Sequence, residues 1–410
     1  MHILLLTAYF PPETGSASHL FYELGETFLE RGHTVSVVTG FPSYHVSGDS
    51  RRYRRRIWMR ENLDGLTVYR AGVLQIARNT PVGRAFWQFS SAFSFTLAGL
   101  RVPRPDVALV YSPPLPLGVT AFAWRLLRGV PFVLNVQDLF PQSAIDLGIL
   151  RHRSLIALFE ALESFVYKRA DAISVHSLGN RDHVIEHGGK QGRTFVVHNS
   201  VDVDFIRPGP KDNDLCRELG LCDKFVVSFA GVIGFSQDLD VVLGAARLLE
   251  RYPDIHFLLV GDGVEKDRLV EKSKKMQLTN VTWLPMQPRE RYPYVLHASD
   301  VGLATLHAEV RTPVVPSKIW SNMAAGVPVI AAMNLEGDAP ALVEESGGGI
   351  CIPPERPESL AKAILSLYRD GDLRHKLGVQ GRKYVEERLA PQIIAERYEH
   401  IFAKLMEDRG

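Results

Sequence analysis

The sequence predicts an α/β protein of two doubly wound domains, each a mostly parallel sheet with helices on both faces. Three observations carry this expectation. Short continuous apolar runs, the form of strands buried on both faces, alternate with segments whose apolar residues recur at helical spacing. The alternation stops in a stretch rich in Pro and Asp near residue 200 and then starts again. A length of 410 residues, 46% hydrophobic and 23% charged, is enough for two or three domains and excludes a disordered or low-complexity chain.

The elements follow in order. Ile3 to Leu6 is the first strand, and the stretch Tyr9 to Ser18, with its prolines and Gly15, is the loop after it. Leu20, Leu24, Phe28 and Leu29 mark a helix that Arg31-Gly32-His33 ends, and Val35 to Val38 is the next strand. Val107 to Val110, Phe132 to Val136 and Ile173 to Val175 continue the series. Asn199 to Pro210 reads as the interdomain linker. The second series holds a strand at Phe225 to Phe229, a helix over Leu239 to Leu249 and a strand at His256 to Val260. Further strands are expected at Val281 to Leu284, Val301 to Ala304 and Val329 to Ala331. Two domains facing each other across a cleft fit this pattern. Ligands of such sheets bind outside the carboxyl ends of the strands, so the informative residues belong to the loops just after them.

Charge is nearly balanced, 47 Lys+Arg against 46 Asp+Glu, which argues against a global polybasic nucleic-acid binder. Three cysteines, Cys216, Cys222 and Cys351, form no C-x-x-C pair, and no Cys/His cluster of zinc spacing is expected. The start carries no cationic region and only a short apolar run, so no signal peptide is expected. No stretch reaches the roughly 18 apolar residues of a spanning helix. The expectation is a cytoplasmic protein, soluble or attached to a membrane surface.

Four constellations could carry chemistry. Gly15-Ser16 lies between the first strand and the first helix, where backbone N–H groups and a helix N-terminus can meet a phosphate; a plain turn fits equally well. Neither G-x-G-x-x-G nor G-x-x-x-x-G-K-[ST] is present. Pro316-Ser317-Lys318 opens a helix. Ser317 could cap it, and Lys318 would add a full charge, a combination suited to a diphosphate; an ordinary capped helix with a surface lysine is the alternative. Gln137-Asp138 closes a buried strand, where the carboxylate could orient or deprotonate a sugar hydroxyl, or only cap the next helix. Arg51, Arg52, Arg54, Arg55, Arg56 and Arg60 surround Tyr53, Ile57 and Trp58, and Phe86, Phe89, Phe93, Leu97 and Leu100 follow at helical spacing. Together these could lie on an anionic membrane; separately they read as a solvated loop and a core helix.

Several segments resemble the signatures of GT-B glycosyltransferases of family four. They are YFPPETGSASHLFYELGETFLERGHTVSVVTGFPSY, VQDLFPQS, VVHNSVDVDFIRP, FAGVIGFSQDLDVVLGAARLL, LLVGDGVEKDRL and VPSKIWSNMAAGVPVIA. The subgroup most similar contains bacterial enzymes of O-antigen, capsule and exopolysaccharide assembly. The resemblance implies retaining, metal-independent transfer of a sugar from a nucleotide diphosphate, with UDP the expected nucleotide and no cofactor. The acceptor it implies is a glycan or a polyprenyl-diphosphate-linked sugar. It also implies an acceptor domain over 1–204, joined by a helix over 391–410 that crosses back to it, and a donor domain over 205–390. Carried over residue by residue, Gly15 and Ser16 would close on the diphosphate, with Ser317 and Lys318 facing it. Gly231, Ser236 and Gln237 would form the loop after the first strand of the donor domain, and Asp262 would sit near the base. Gln137 and Asp138 would be catalytic, and no residue is expected to hold a metal.

Two departures stand out. The family commonly carries two glutamates eight residues apart; here those positions are Pro313 and Ser321, with Glu309 nearby as a substitute for the first and Ser321 able to make one weaker ribose contact. Gln137 stands where the family often has His. Two rival expectations therefore remain beside transfer: a GT-B nucleotide-sugar epimerase and a catalytically weak nucleotide-sugar-binding subunit.

Overall fold

The computed structural model describes residues 1–13, 16–42, 53, 56–74 and 81–408. The chain divides into two units, Met1–Ser200 with Pro391–Gly410, and Val201–Ala390. The expected boundary after residue 204 moves to 200. The Val201 amide donates to the Leu389 carbonyl at 3.0 Å and the Arg382 guanidinium to the Val203 carbonyl at 3.1 Å, which ties 201–204 to the second unit.

The first unit contains β1 (His2–Leu6), α1 (Ser16–Glu30), β2 (Thr34–Gly40), β3 (Trp58–Leu63), β4 (Leu66–Ala71), α2 (Pro81–Gly99) and β5 (Val107–Ser112). It continues with α3 (Pro116–Arg128), β6 (Phe132–Val136), α4 (Gln142–Asp146), α5 (Arg153–Arg169), β7 (Ala172–Val175), α6 (Leu178–Glu186) and β8 (Thr194–Val196). The strand order is β3-β4-β2-β1-β5-β6-β7-β8, parallel except for β3 on β4. Ile3 on β1 lies opposite Val35 on β2 and Val107 on β5, so a row of branched side chains crosses the centre of the sheet.

The second unit holds α7 (Asp214–Leu219), β9 (Phe225–Ala230), α8 (Leu239–Leu249), β10 (Ile255–Val260), α9 (Lys266–Lys275), β11 (Val281–Leu284) and α10 (Tyr292–His297). It continues with β12 (Val301–Thr305), α11 (Ser317–Ala324), β13 (Val329–Ala332), α12 (Asp338–Ser346), β14 (Gly349–Ile352), α13 (Pro357–Arg369) and α14 (Gly371–Arg388). Its sheet is wholly parallel, ordered β11-β10-β9-β12-β13-β14. Strands buried on both faces explain the continuous apolar runs: every residue of β9 and of β12 is buried.

The last helix, α15 (Pro391–Glu407), belongs to the first unit. Ile394, Ala395, Tyr398, Ile401, Phe402 and Leu405 join the core of α1 and β1. Phe402 packs against Phe28, with ring centroids 5.9 Å apart and the planes tilted by 47°. Glu399 accepts from Arg31 through both oxygens at 2.6 Å and lies 2.8 Å from His33 Nε2.

Two expectations are corrected. The basic segment is not wholly a loop: Trp58, Met59 and Arg60 begin β3, which pairs antiparallel with β4 through a turn at Asp64 and Gly65. Arg56 and Arg60 are exposed; Arg51, Arg52, Arg54 and Arg55 lie outside the described residues. The apolar stripe of α2 is not its core face. Phe86, Phe89, Phe93, Leu97 and Leu100 are exposed, Phe93 by 69%. The packed face is Trp87, Ser91, Phe95 and Ala98, held against α3 by bonds from Trp124 Nε1 to the Thr96 carbonyl and from Thr120 Oγ1 to the Ala92 carbonyl.

Candidate functional site

The second sheet reverses direction at β9, whose neighbours are β10 and β12. At such a switch point the chain leaves the two strands toward opposite sides, and a crevice opens at their carboxyl ends. Three segments meet there: the loop after β9, the loop after β12 and the first turn of α11. Gly231 begins the first with φ +148, and Gly261, at the end of β10, has φ +154. A Cβ on Gly261 would lie 1.8 Å from the Gly231 carbonyl oxygen, so only glycine allows these backbones to touch. Gln237 is fixed from two directions. Its carbonyl accepts from Thr305 Oγ1 at the end of β12, and its Oε1 accepts from Lys318 Nζ. The Ser236 carbonyl accepts the His307 amide at 3.0 Å, and Ser236 Oγ accepts from Gln237 Nε2 at 3.2 Å.

Lys318 is the cation of this crevice. Its Nζ stands 4.3 Å from the Phe229 ring centroid, within cation–π range. A Cβ on Gly231 would come within 3.4 Å of Lys318 Cε. Burial pulls the amine down to about 7, since a low-dielectric setting disfavours the charged form. The structure thus brings together Gly231, Ser236, Gln237 and Lys318, residues separated by up to 87 positions in sequence.

Ser317 does not cap α11. It is the first helical residue, and the N-cap is Pro316, which makes no side-chain cap hydrogen bond. Proline lacks a side-chain acceptor, so it leaves the first-turn amides of Ser317 and Lys318 uncapped among the described residues. Ser321, one turn on, donates through Oγ to the Ser317 carbonyl at 3.3 Å. Glu309 is exposed in the loop after β12. The carboxylate packed on that loop is instead Glu355, which accepts the Ala308 amide at 3.0 Å and lies 2.7 Å from His307 Nδ1. Asp262 bridges strand ends: Oδ1 accepts from Lys266 Nζ at 2.7 Å and Oδ2 from the Met286 amide at 2.9 Å.

The first sheet reverses at β1, between β2 and β5. Gly15 lies outside the described residues, and Ser16 opens α1. Asp138 and Gln137 part company here. Gln137 is only 8% exposed. Its Nε2 donates to Asn135 Oδ1 at 2.7 Å and to Asn199 Oδ1 at 2.8 Å, and its Oε1 accepts from Asn199 Nδ2 at 2.7 Å. Both amide hydrogens are used inside the protein, which fixes Gln137 against Asn135 and Asn199. The network extends through Asn135 Nδ2 to Tyr398 OH at 2.8 Å, joining β6 to α15. Asp138 reaches solvent, yet the surrounding protein raises its carboxyl above the ordinary range. Burial, and then the charge of Asp138, push the Tyr111 hydroxyl at the end of β5 upward. Tyr111 and the His307–Glu355 pair were not expected. The signal for Tyr111 was its place just before the end of a buried strand.

Two family matches divide the chain as the units do. "Glycosyl transferase 4-like domain" matches residues 15–200, and "Glycosyl transferases group 1" matches residues 217–384. The chain is a GT-B glycosyltransferase of family four. WbjE of Pseudomonas aeruginosa, described as a glycosyltransferase, is 28% identical to it over 70% of this chain and 72% of that one. WcaI of Escherichia coli strain K12, described as a colanic acid biosynthesis glycosyl transferase, is 26% identical over 97% and 98%. Among solved structures, sucrose-phosphate synthase from Thermosynechococcus elongatus shares the fold with a TM-score of 0.79 at 16% identity, over 99% of each chain. Anabaena HepE, solved in complex with UDP, shares it with a TM-score of 0.74 at 18% identity, over 98% of this glycosyltransferase and 100% of HepE.

Proposed function

We propose that this glycosyltransferase moves a sugar from a UDP-linked donor to a glycan or polyprenyl-diphosphate-linked acceptor in the assembly of a cell-surface polysaccharide. Transfer retains the anomeric configuration and uses no metal ion at the donor. The observation that carries this is the meeting of Lys318, Gln237 and Gly231 with the uncapped first turn of α11 at the switch point of the second sheet. A cation and free N–H donors aimed at one place can neutralise the diphosphate as it leaves, the part a divalent ion otherwise plays. The UDP and UDP-glucose complexes of HepE support the donor class, and the description of WcaI supports the polysaccharide. Asp138, its carboxyl raised and exposed, contacts the reacting hydroxyl or the donor sugar.

Incubation with a panel of UDP-sugars and a bacterial lipid extract tests the reading. UDP release coupled to a labelled lipid product is expected, with the donor's anomeric configuration kept and turnover preserved in chelator. Epimerisation of donor without acceptor would establish the epimerase reading instead, and binding without turnover the subunit reading. The descriptions of WbjE and WcaI favour neither rival.

We assign the inner face of the cell membrane as the working surface, with no nucleic-acid partner. Among the described residues no helix is long and apolar enough to cross a membrane. The exposed apolar face of α2 supports peripheral attachment. It ends at Arg101, whose guanidinium lies 5.6 Å from the exposed Trp58 ring, a cation and an indole suited to an anionic interface.

A further inference from the structure

The first unit contains a second constellation that transfer does not use. His183 and His187 lie one turn apart, within and just past α6. Their rings stack with centroids 3.9 Å apart and 19° between planes. Glu163 on α5 faces them, its Oε1 3.5 Å from His183 Nε2. The ligating atoms of the three residues all lie within 4.8 Å of one another.

Each residue is prepared for an ion. His187 Nδ1 donates to the His183 carbonyl at 2.8 Å, which fixes the proton on Nδ1 and leaves the Nε2 lone pair as the ligand. A second-shell bond of that kind is the usual companion of a metal-bound imidazole. Glu163 is 1% exposed, and its Oε1 and His183 Nε2 make no hydrogen bond among the described residues. Among the described residues the ion-pair partner of this buried carboxylate is His183, which is charged only when protonated, so a metal cation would supply the compensation that buried charge requires. Tyr167, one turn along α5, brings its buried hydroxyl to the same carboxylate, a neutral partner that adds no positive charge.

We propose that Glu163, His183 and His187 form a divalent transition-metal site, with zinc the ion it suits. Two imidazoles and one carboxylate match zinc and its neighbours in the first row, whereas calcium and magnesium select oxygen ligands. Three protein ligands leave a fourth position of the tetrahedron for water or an incoming ligand. α6 starts at the carboxyl end of β7 and runs back, so its last turn lies at the end of the sheet away from Asp138. The ion would therefore clip α5 to α6 and leave sugar transfer untouched. The spacing is present in sequence as H-x-x-x-H, with Glu163 twenty residues before His183, and the proposal departs from the expectation that no residue holds a metal.

The test uses the full chain, free of affinity tag and stripped by chelator. Cobalt(II) should bind at one equivalent with the visible absorption of a tetrahedral N/O site, and zinc should displace it. His187→Ala and the isosteric Glu163→Gln should each weaken binding by about 100-fold or more, since even loss of an outer partner costs 10–100-fold. His152→Ala, an exposed histidine elsewhere, should leave it unchanged. Far-UV circular dichroism checks that each variant folds. In the unaltered chain, zinc should shield His183 and His187 from diethyl pyrocarbonate, a readout that needs no variant. Cobalt affinity equal in parent, His187→Ala and Glu163→Gln, or equal modification with and without zinc, would overturn the site.

Discussion

Lys318 sits where charge is costly, and that cost gives its chemistry a pH signature. Its amine is held near 7 in the free protein by burial. A diphosphate brought against it restores the charged form, so UDP binding should take up a proton at pH 8. Affinity should be greatest below about 7 and fall as pH rises above it, until the amine's bound-state pKa is passed. Calorimetry in buffers of differing ionisation enthalpy reads the proton uptake directly, and Lys318→Ala should abolish it. That variant should also lose about 1.5–3 kcal/mol of UDP affinity, the range for a charge-assisted hydrogen bond; equal affinity in a folded variant would remove Lys318 from the site. Lys318 and Gly231 were legible in sequence because each follows or precedes an element whose end could be read. The burial of Gln137 was not, because Asn199, which takes its amide, is 62 positions away and only the folded sheet brings them together. His307 and Glu355 escaped for the same reason.

α2 shows where periodicity stops informing. Two of its faces repeat at helical spacing, one through Trp87, Ser91, Phe95 and Ala98 and the other through Phe86, Phe89, Phe93, Leu97 and Leu100. A pattern of apolar residues marks a face but not what covers it. If the exposed face lies on lipid, Phe89→Ser with Phe93→Ser should lower cosedimentation with anionic vesicles by roughly tenfold or more, because each buried phenylalanine contributes about 1.5–3 kcal/mol. Undiminished cosedimentation would assign the face to another partner. The β3–β4 hairpin was missed although its signal was present. Asp64 and Gly65 both have positive φ, the conformation that makes Asp-Gly a two-residue hairpin turn. α15 was legible as a stripe, and its stabilising contacts can be tested singly. Phe402→Ala should cost about 3–5 kcal/mol by chemical denaturation. Glu399, held down to about 2 chiefly by its bonds to Arg31, has a folded pKa below its ordinary 4.5. The unfolded chain therefore binds the proton first as pH falls. The stabilisation from Glu399 is complete above about 4.5 and disappears as pH falls through 2. Glu399→Gln should be less stable than the parent near neutrality and should converge with it in strong acid.

At the scale of the whole molecule, the alternation of buried strands and amphipathic helices was enough to read two parallel sheets, because such strands carry no polar face to blur the pattern. The chain passes between the units twice, and the backbone on either side of those passages is joined by the bond from Val201 to Leu389. The second unit is a continuous segment, whereas the first is closed by residues that follow it in sequence. That order has a consequence during synthesis. Proteins of several domains ordinarily fold from the N-terminus as the ribosome releases them. Here residues 1–200 emerge first but wait, with the apolar side of α1 uncovered, until residues 391–410 follow the whole of 201–390 out of the exit tunnel. The later unit can complete itself before the earlier one. A chain ended at residue 390 should accordingly yield a protease-resistant fragment from the second unit and digest readily across the first; equal resistance of both would mean that the first unit closes without its last helix. During each round of translation the nascent first unit is thus an extended client for holding chaperones, and the time it spends in that condition is set by how fast the ribosome reads the second.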